Sequence, residues 1–250
     1  MIKIGCCGYP IARNKYYKHF DCIEINSTFY QLPELKTAEK WRNEAPSNFE
    51  FIMKSWQLIT HSANSFTYRR LREKIDTSKK KNYGYFKNTK EVFDAWKRTK
   101  EFAVKLGCQK IVFQCPASFK PTDENLNCIQ GFFKKIHSNR EKYNFKFILE
   151  VRGENWTEKI VSQLCKKLNL VHCVDPLYAE PVFGMFRYYR LHGLHIGNKL
   201  DYNYKYSDKE LEEILTLCDE PLNYVMFNNS NMLGDASEFK SLAKNENRID

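Results

Sequence analysis

Short apolar runs alternate with longer stretches of helical period along almost the whole chain. The runs predict eight strands, over Ile2–Cys6, Cys22–Asn26, Phe51–Ser55, Lys110–Cys115, Phe147–Arg152, Leu170–Asp175, Phe186–His192 and Tyr224–Asn228. Between them, apolar residues spaced three and four apart predict helices over Asn14–Phe20, Leu35–Glu44, Thr89–Leu106, Asp123–Ile136, Thr157–Leu168 and Asp208–Leu217. Thr89 is a natural start for its helix and Gly107 a natural stop. No internal repeat of fixed period is present. Alternating strands and helices imply a parallel sheet with crossover helices. Eight such units close most simply into a single α/β domain over residues 1–250, a (β/α)8 TIM-type barrel. An open doubly wound sheet would place a Gly-rich phosphate loop after the first strand, and "GCCGYP" is neither GxGxxG nor a Walker sequence. One long insertion, residues 56–88, follows the third strand. On a barrel it belongs to the strand-to-helix face, where active sites lie.

Alternation within the strands separates polar from apolar positions. Successive side chains on a strand face opposite ways, so one parity of a barrel strand faces the axis and the other the helices. Glu24 and Asn26 share one parity in the second strand, against Ile23 and Ile25. Lys54 ends the third strand on the parity of Ile52, and Gln114 ends the fourth on that of Val112. Glu150 and Arg152 lie opposite Phe147, Leu149 and Val151, while Arg190 and His192 lie opposite Tyr189 and Leu191. Each polar set gathers toward the C-terminal end of its strand. A buried charge without a partner costs several kcal/mol, so these groups are expected to meet one another or water. One outcome is a structural network that plugs the barrel, Glu24 and Glu150 against Arg152, Arg190 and Lys54; but axis-facing positions of a purely structural barrel are filled by branched aliphatics, and that contrast favours a functional pocket.

Composition sharpens this only in places. The formal net charge of +10 suits an anionic substrate or a polyanionic partner, although only 11 of the 40 basic residues are Arg. Nine cysteines without a CxxC predict buried thiols in a reducing compartment, and disfavour a zinc ribbon or an iron–sulfur cluster. No apolar run reaches the roughly 18 residues of a membrane span, and "MIKIGCCG" does not read as a signal peptide. The expected location is the cytoplasm, with no membrane partner.

The segments "GCCGYP", "IEINSTFYQLP", "FIMKSWQLITH", "FQCPASFKPT", "LEVRGENW", "VDP", "RLHG" and "FNN" occur in that order. Together they resemble the YecE-like family, domain of unknown function 72, from Ile4 to about Asn229. The resemblance implies a TIM-type barrel and supplies no established activity. It implies family polar positions at Glu24, Asn26, Lys54, His61, Gln114, Glu150, Arg152, Asp175, Arg190 and His192. Many members carry a Thr-Ser-Gly-Trp-like start where this chain has Cys6-Cys7-Gly8-Tyr9, so a hydroxyl role there does not transfer.

These residues allow several chemistries. Paired carboxylates, Glu24 and Glu150, suit acid–base work, with His61 and His192 as proton carriers. Lys54, Arg152 and Arg190 suit a clamp for a phosphate or carboxylate, with Asn26, Gln114 and Asp175 also binding substrate. A hydrolase or lyase acting on a small phosphate- or sugar-containing substrate follows as the first expectation. Glu24, Glu150, His61 and His192 are a candidate set for a divalent metal, although no HExxH-like spacing supports it. His172 and His195 read as structural or surface residues. The insertion carries a second signal. Nine basic residues between Tyr68 and Lys90, among them Arg69, Arg70, Lys79, Lys80 and Lys81, are interleaved with Tyr68, Tyr83, Tyr85 and Phe86. A nucleic-acid-binding lid is the alternative this pattern raises, beside a solvated loop; "TYRRLREKI" also reads as a short amphipathic helix.

Overall fold

The computed structural model describes residues 1–137, 143–196 and 199–249. Eight parallel strands run in the order β1-β10-β7-β6-β5-β4-β3-β2 and form a nearly closed barrel with helices between them. They are β1 (Ile2–Cys6), β2 (Cys22–Ile25), β3 (Glu50–Lys54), β4 (Lys110–Gln114), β5 (Lys146–Glu150), β6 (Val171–Val174), β7 (Arg187–Leu191) and β10 (Asn223–Phe227). A small antiparallel hairpin, β8 (Leu194–Ile196) and β9 (Lys199–Asp201), follows β7. A parallel bridge between Cys7 and Glu24 links the two ends of the strand order, and Tyr16 reinforces it. The Tyr16 hydroxyl accepts from the Cys6 backbone N–H (2.8 Å) and donates to the Cys22 carbonyl (3.0 Å).

All eight expected strands and all six expected helices are present, with ends shifted by a residue or two. Among the described residues, the elements outside that set are the short helices Ser27–Tyr30 and Gln57–Thr60, two 3-10 turns, the β8–β9 hairpin, and the helix Met232–Asn245. The longest helix, Lys90–Leu106, begins where Thr89 accepts from the Val92 N–H and ends at a left-handed Gly107. Among the described residues no helix is long and apolar enough to cross a membrane.

The chain divides into two compact units. The first comprises Met1–Glu24, Ala45–Glu50 and Val171–Asp250. In it β10 pairs with β1 and with β7, in a register that sets Met226 beside Arg190, and β6 pairs with β7. Tyr16, Phe20, Tyr188, Tyr206, Tyr224 and Phe239 fill its core. The second comprises Ile25–Glu44 and Phe51–Leu170. There β4 pairs with β3 and β5, which sets Gln114 directly beside Glu150. Its core is aromatic: Phe113 has Phe86, Trp96, Phe132, Phe133 and Phe147 around it at 5.0–6.1 Å between ring centroids. All nine cysteines are free thiols, and eight of them are buried.

The insertion is less of a lid than its sequence suggests. Trp56, Leu58, Ile59, Thr60 and His61 at its start, and Phe86 near its end, are buried. Only the stretch between them is largely exposed. The amphipathic helix expected from "TYRRLREKI" shrinks to a 3-10 turn, Phe66–Arg70, and a second 3-10 turn spans Thr77–Asn82. The aromatics meant for bases are in part structural. Phe86 belongs to the core, the Tyr85 hydroxyl donates to Ser118 Oγ, and that of Tyr68 donates to the His61 carbonyl.

Candidate active site

In the first unit the ends of β2, β6 and β7 carry one continuous polar chain. Glu24 is fully enclosed and sits between Tyr188 Oη (2.7 Å) and Arg190 Nη2 (2.9 Å). Arg190 is itself 1% exposed. Its other terminal nitrogen lies 3.2 Å from His192 Nε2. A guanidinium only donates, so His192 Nε2 accepts and the imidazole is neutral with its proton on Nδ1. That atom is 3.8 Å from Asp175 Oδ2, which also accepts from the His192 backbone N–H at 3.1 Å. Asp175 further takes the Leu177 N–H and lies 3.8 Å from His195 Nε2. His195 stacks on Tyr178 with ring centroids 3.8 Å apart. Cys7 lies 3.8 Å from Arg190, and burial together with the Glu24 charge pushes its thiol well above the ordinary range. Both effects hold it as the thiol rather than the nucleophilic thiolate.

In the second unit the ends of β3, β4 and β5 bring together Lys54, Gln114, Glu150 and Arg152. Lys54 Nζ donates to Gln114 Oε1 at 2.6 Å and sits 4.2 Å above the Phe29 ring. Arg152 reaches back to its strand neighbour, with Nε 2.9 Å and Nη2 2.8 Å from Glu150 Oε1. The Arg152 side chain is 28% exposed whereas Glu150 is 6%. His61 follows the short helix Gln57–Thr60, and its ring packs edge-on against Phe29 at 4.7 Å. Burial, then the Lys54 and Arg152 charges, push its pKa down to about 3, with Glu150 opposing. His61 is therefore neutral at pH 7, within the electrostatic reach of two cations and one carboxylate.

The return of the insertion holds His61 in place. Gly84, Tyr85 and Phe86 all adopt left-handed backbone, with φ of 76°, 55° and 54°. That conformation costs a non-glycine residue roughly 1–2 kcal/mol, so two aromatics in succession are strained. Their N–H groups recover three carbonyls: Gly84 donates to Leu58 (2.9 Å), Tyr85 to Thr60 (3.3 Å) and Phe86 to Ile59 (2.9 Å). A four-residue helix has most of its carbonyls unpaired, and this turn satisfies them. Gly84 lies so close that a Cβ there would strike the His61 carbonyl.

Of the expected site residues, Lys54, His61, Gln114, Glu150 and Arg152 thus lie in one cluster, and Glu24, Asp175, Arg190 and His192 in another. Asn26 closes β2 at the start of the helix Ser27–Tyr30. The expected metal set is not gathered: among the described residues no three His, Cys, Asp or Glu side chains are grouped to hold an ion. The reason is visible in their partners. Glu24 is committed to Arg190 and Tyr188, His192 Nε2 to Arg190, and His61 stands beside two cations. Sequence reasoning missed Phe29, Tyr188 and His195. Phe29 lies in a helix, beyond the reach of strand parity; Tyr188 shares the parity of Arg190 and His192, and only the structure shows its hydroxyl on Glu24.

A model of the family described as "Protein of unknown function DUF72" matches residues 12–248. The chain is 32% identical over 65 residues to UPF0759 protein YunF of Bacillus subtilis and 37% over 49 residues to UPF0759 protein YecE of Escherichia coli. Those stretches span 26% and 20% of this chain, and only 23% and 18% of the relatives' lengths. Two DUF72 family crystal structures superpose on nearly the whole chain. The one from Enterococcus faecalis has a TM-score of 0.73 at 17% identity, covering 98% of both chains. That from Thermotoga maritima has 0.66 at 18%, covering 98% of this chain and 99% of the other. A D-tagatose 3-epimerase-like protein shares the fold at a TM-score of 0.62 and 16% identity, covering 99% and 97%.

Proposed function

The chain belongs to the DUF72 family, and we propose that it is an enzyme acting on a small anionic, phosphate- or sugar-containing substrate at the C-terminal ends of β3, β4 and β5. One observation carries this reading. A neutral histidine and a carboxylate stand with two cations in one buried cluster, and Arg152 opens it to solvent. Lys54 and Arg152 clamp the anion and stabilise negative charge that develops in the reaction. Incoming substrate draws Arg152 away from Glu150, and the released carboxylate acts as general base, then as general acid with the proton it has taken. His61, uncharged, offers a hydrogen bond without adding a third positive charge. Gln114 orients Lys54 and the substrate. In the first unit, Asp175 and His192 form a second proton-carrying pair, and Glu24 holds Arg190 in place. Asn26, at the end of β2, is a further polar contact.

Such a site suits hydrolysis or elimination. The test is a panel of sugar phosphates assayed for phosphate release and for new carbonyl groups, with Glu150→Gln and Lys54→Met in parallel. Turnover by the native protein and a loss of roughly 100-fold or more in Glu150→Gln, with its thermal stability kept, is the expected result. Equal turnover in native protein and Glu150→Gln would remove Glu150 from the chemistry.

A further inference from the structure

The exposed part of the insertion is left unused by that proposal, and it has a shape of its own. Its two 3-10 turns are each capped: Ser65 accepts from Thr67 N–H, and Asp76 accepts from Ser78 N–H. The segment is also tied down. Gln31 Oε1 accepts from the Arg72 and Glu73 backbone N–H groups, and the Arg70 guanidinium lies 3.5 Å from the Tyr30 ring centroid. Between the turns runs a surface groove whose lining includes Phe66, Arg69, Leu71, Glu73, Ile75 and Lys80. Phe66 is 73% exposed, more than any other large apolar side chain among the described residues. Arg69 stacks on it, with its guanidinium carbon 4.3 Å from the ring centroid.

The charge around this ring is one-sided. The only acidic residues of the segment are already neutralised: Glu73 pairs with Arg98 at 2.8 Å, and Asp76 takes the Ser78 cap with Lys79 3.6 Å away. Lys80 and Lys81 are exposed on the second 3-10 turn and have no carboxylate within 4.0 Å among the described residues. A bare aromatic ring backed by guanidinium, beside lysines that face solvent, matches the two parts of an unpaired nucleotide. The base has a π-face for Phe66 and Arg69, and the phosphates have charge for the lysines. A duplex hides its base faces in the stack and could use only the lysines.

We propose that this groove binds single-stranded polynucleotide, with a base stacked on Phe66 against Arg69 and the flanking phosphates on Lys80 and Lys81. The site is independent of Glu150 and of the chemistry assigned to it.

The experiment is fluorescence anisotropy with a labelled twelve-residue oligothymidylate and the full chain, at 50 and 200 mM salt. Two phosphate contacts predict that affinity falls roughly 7-fold between the two. Phe66→Ala should weaken binding about 10-fold, since one stacked base contributes that order. The double variant Lys80→Ala/Lys81→Ala should weaken it and flatten the salt dependence. Both changes are on exposed side chains, and unchanged melting temperatures will show that the fold is intact. Glu150→Gln should bind as the native protein does. Equal affinity for a duplex of the same length, or binding indifferent to Phe66→Ala, would overturn the proposal. So would the absence of oligonucleotide binding together with Phe66-dependent binding to phosphatidylserine vesicles, which would assign the ring to a membrane surface.

Discussion

Two carboxylate–guanidinium pairs stand at strand ends in this molecule, and they live in different surroundings. Glu24 and Arg190 are 0% and 1% exposed, and Tyr188 takes the second carboxylate oxygen. Glu150 and Arg152 keep similar distances, but the arginine side chain is 28% exposed and folds back from two residues along the chain. The first pair has displaced water on every side, so neither charge can leave without stranding the other. The second pair can open, because water or an anion can replace the carboxylate as the partner of Arg152. In the function proposed above, identical chemistry is structural in one place and available for work in the other. Sequence parity treats the two alike; burial separates them.

The sharpest way to break this comparison is to remove one carboxylate from each pair. Glu24→Ala strands Arg190 in a dry site and should cost about 3–5 kcal/mol, lowering the melting temperature by roughly 10 °C. A loss no larger than that of a surface variant would show that water reaches Glu24. Next in size is Gly84→Ala, which drives a Cβ into the His61 carbonyl and forces a third side chain into left-handed backbone. A loss of roughly 2–4 kcal/mol in urea denaturation is expected, together with a shifted His61 imidazole resonance.

The third concerns pH. The folded-state pKa of His61 lies near 3, below its unfolded value, so the unfolded chain binds the extra proton between the two. His61 therefore contributes stability that is fully present above about pH 6.5 and lost as pH falls toward 3, at up to ~1.4 kcal/mol per pH unit. His61→Gln should show a correspondingly shallower acid loss in denaturation at pH 7, 6 and 5; an unchanged slope would mean that the ring is already hydrated. The smallest effect is the most telling. Glu150→Gln keeps a polar partner for a half-open arginine and should change stability by less than about 1 kcal/mol. If it matched Glu24→Ala, the two pairs would be alike after all.

Much of the architecture could be read from the pattern of residues. Alternation placed all eight barrel strands, and the parity of Glu24, Lys54, Gln114, Glu150, Arg152, Arg190 and His192 put them at strand ends, where they lie. What escaped has physical causes. The helix Met232–Asn245 carries a glycine and a weak apolar stripe, so its period is faint in "MLGDASEFKSLAKN". The β8–β9 hairpin is three residues per strand, too short for alternation to register. The left-handed run at Tyr85 and Phe86 cannot be read locally, because aromatics avoid that region and tertiary contacts alone impose it. Phe86 looked like a platform for bases because an aromatic beside lysines reads the same whether its ring faces solvent or a core. Its neighbours Phe113, Phe119, Phe132 and Phe133 decide the matter, and they come from distant segments.

The hydrogen bonds from Gly84, Tyr85 and Phe86 to Leu58, Thr60 and Ile59 bring the two ends of the exposed segment together. The chain thus leaves the body of its unit and re-enters it at the same spot. A segment closed at its base in this way is a cassette. Doubling its length costs only about 0.6 kcal/mol in closure entropy, and its ties to the residues beneath are the Tyr68 bond to the His61 carbonyl, the Arg70 stack on Tyr30, the Gln31 clasp and the Glu73 pair with Arg98. Away from those ties, residues 62–82 are free to diverge at a different tempo from the cluster around His61. A graft joined at those two points can carry a foreign recognition surface onto this scaffold, whereas one cut a few residues further in, through Tyr85 or Phe86, would take the wall of the proposed site with it.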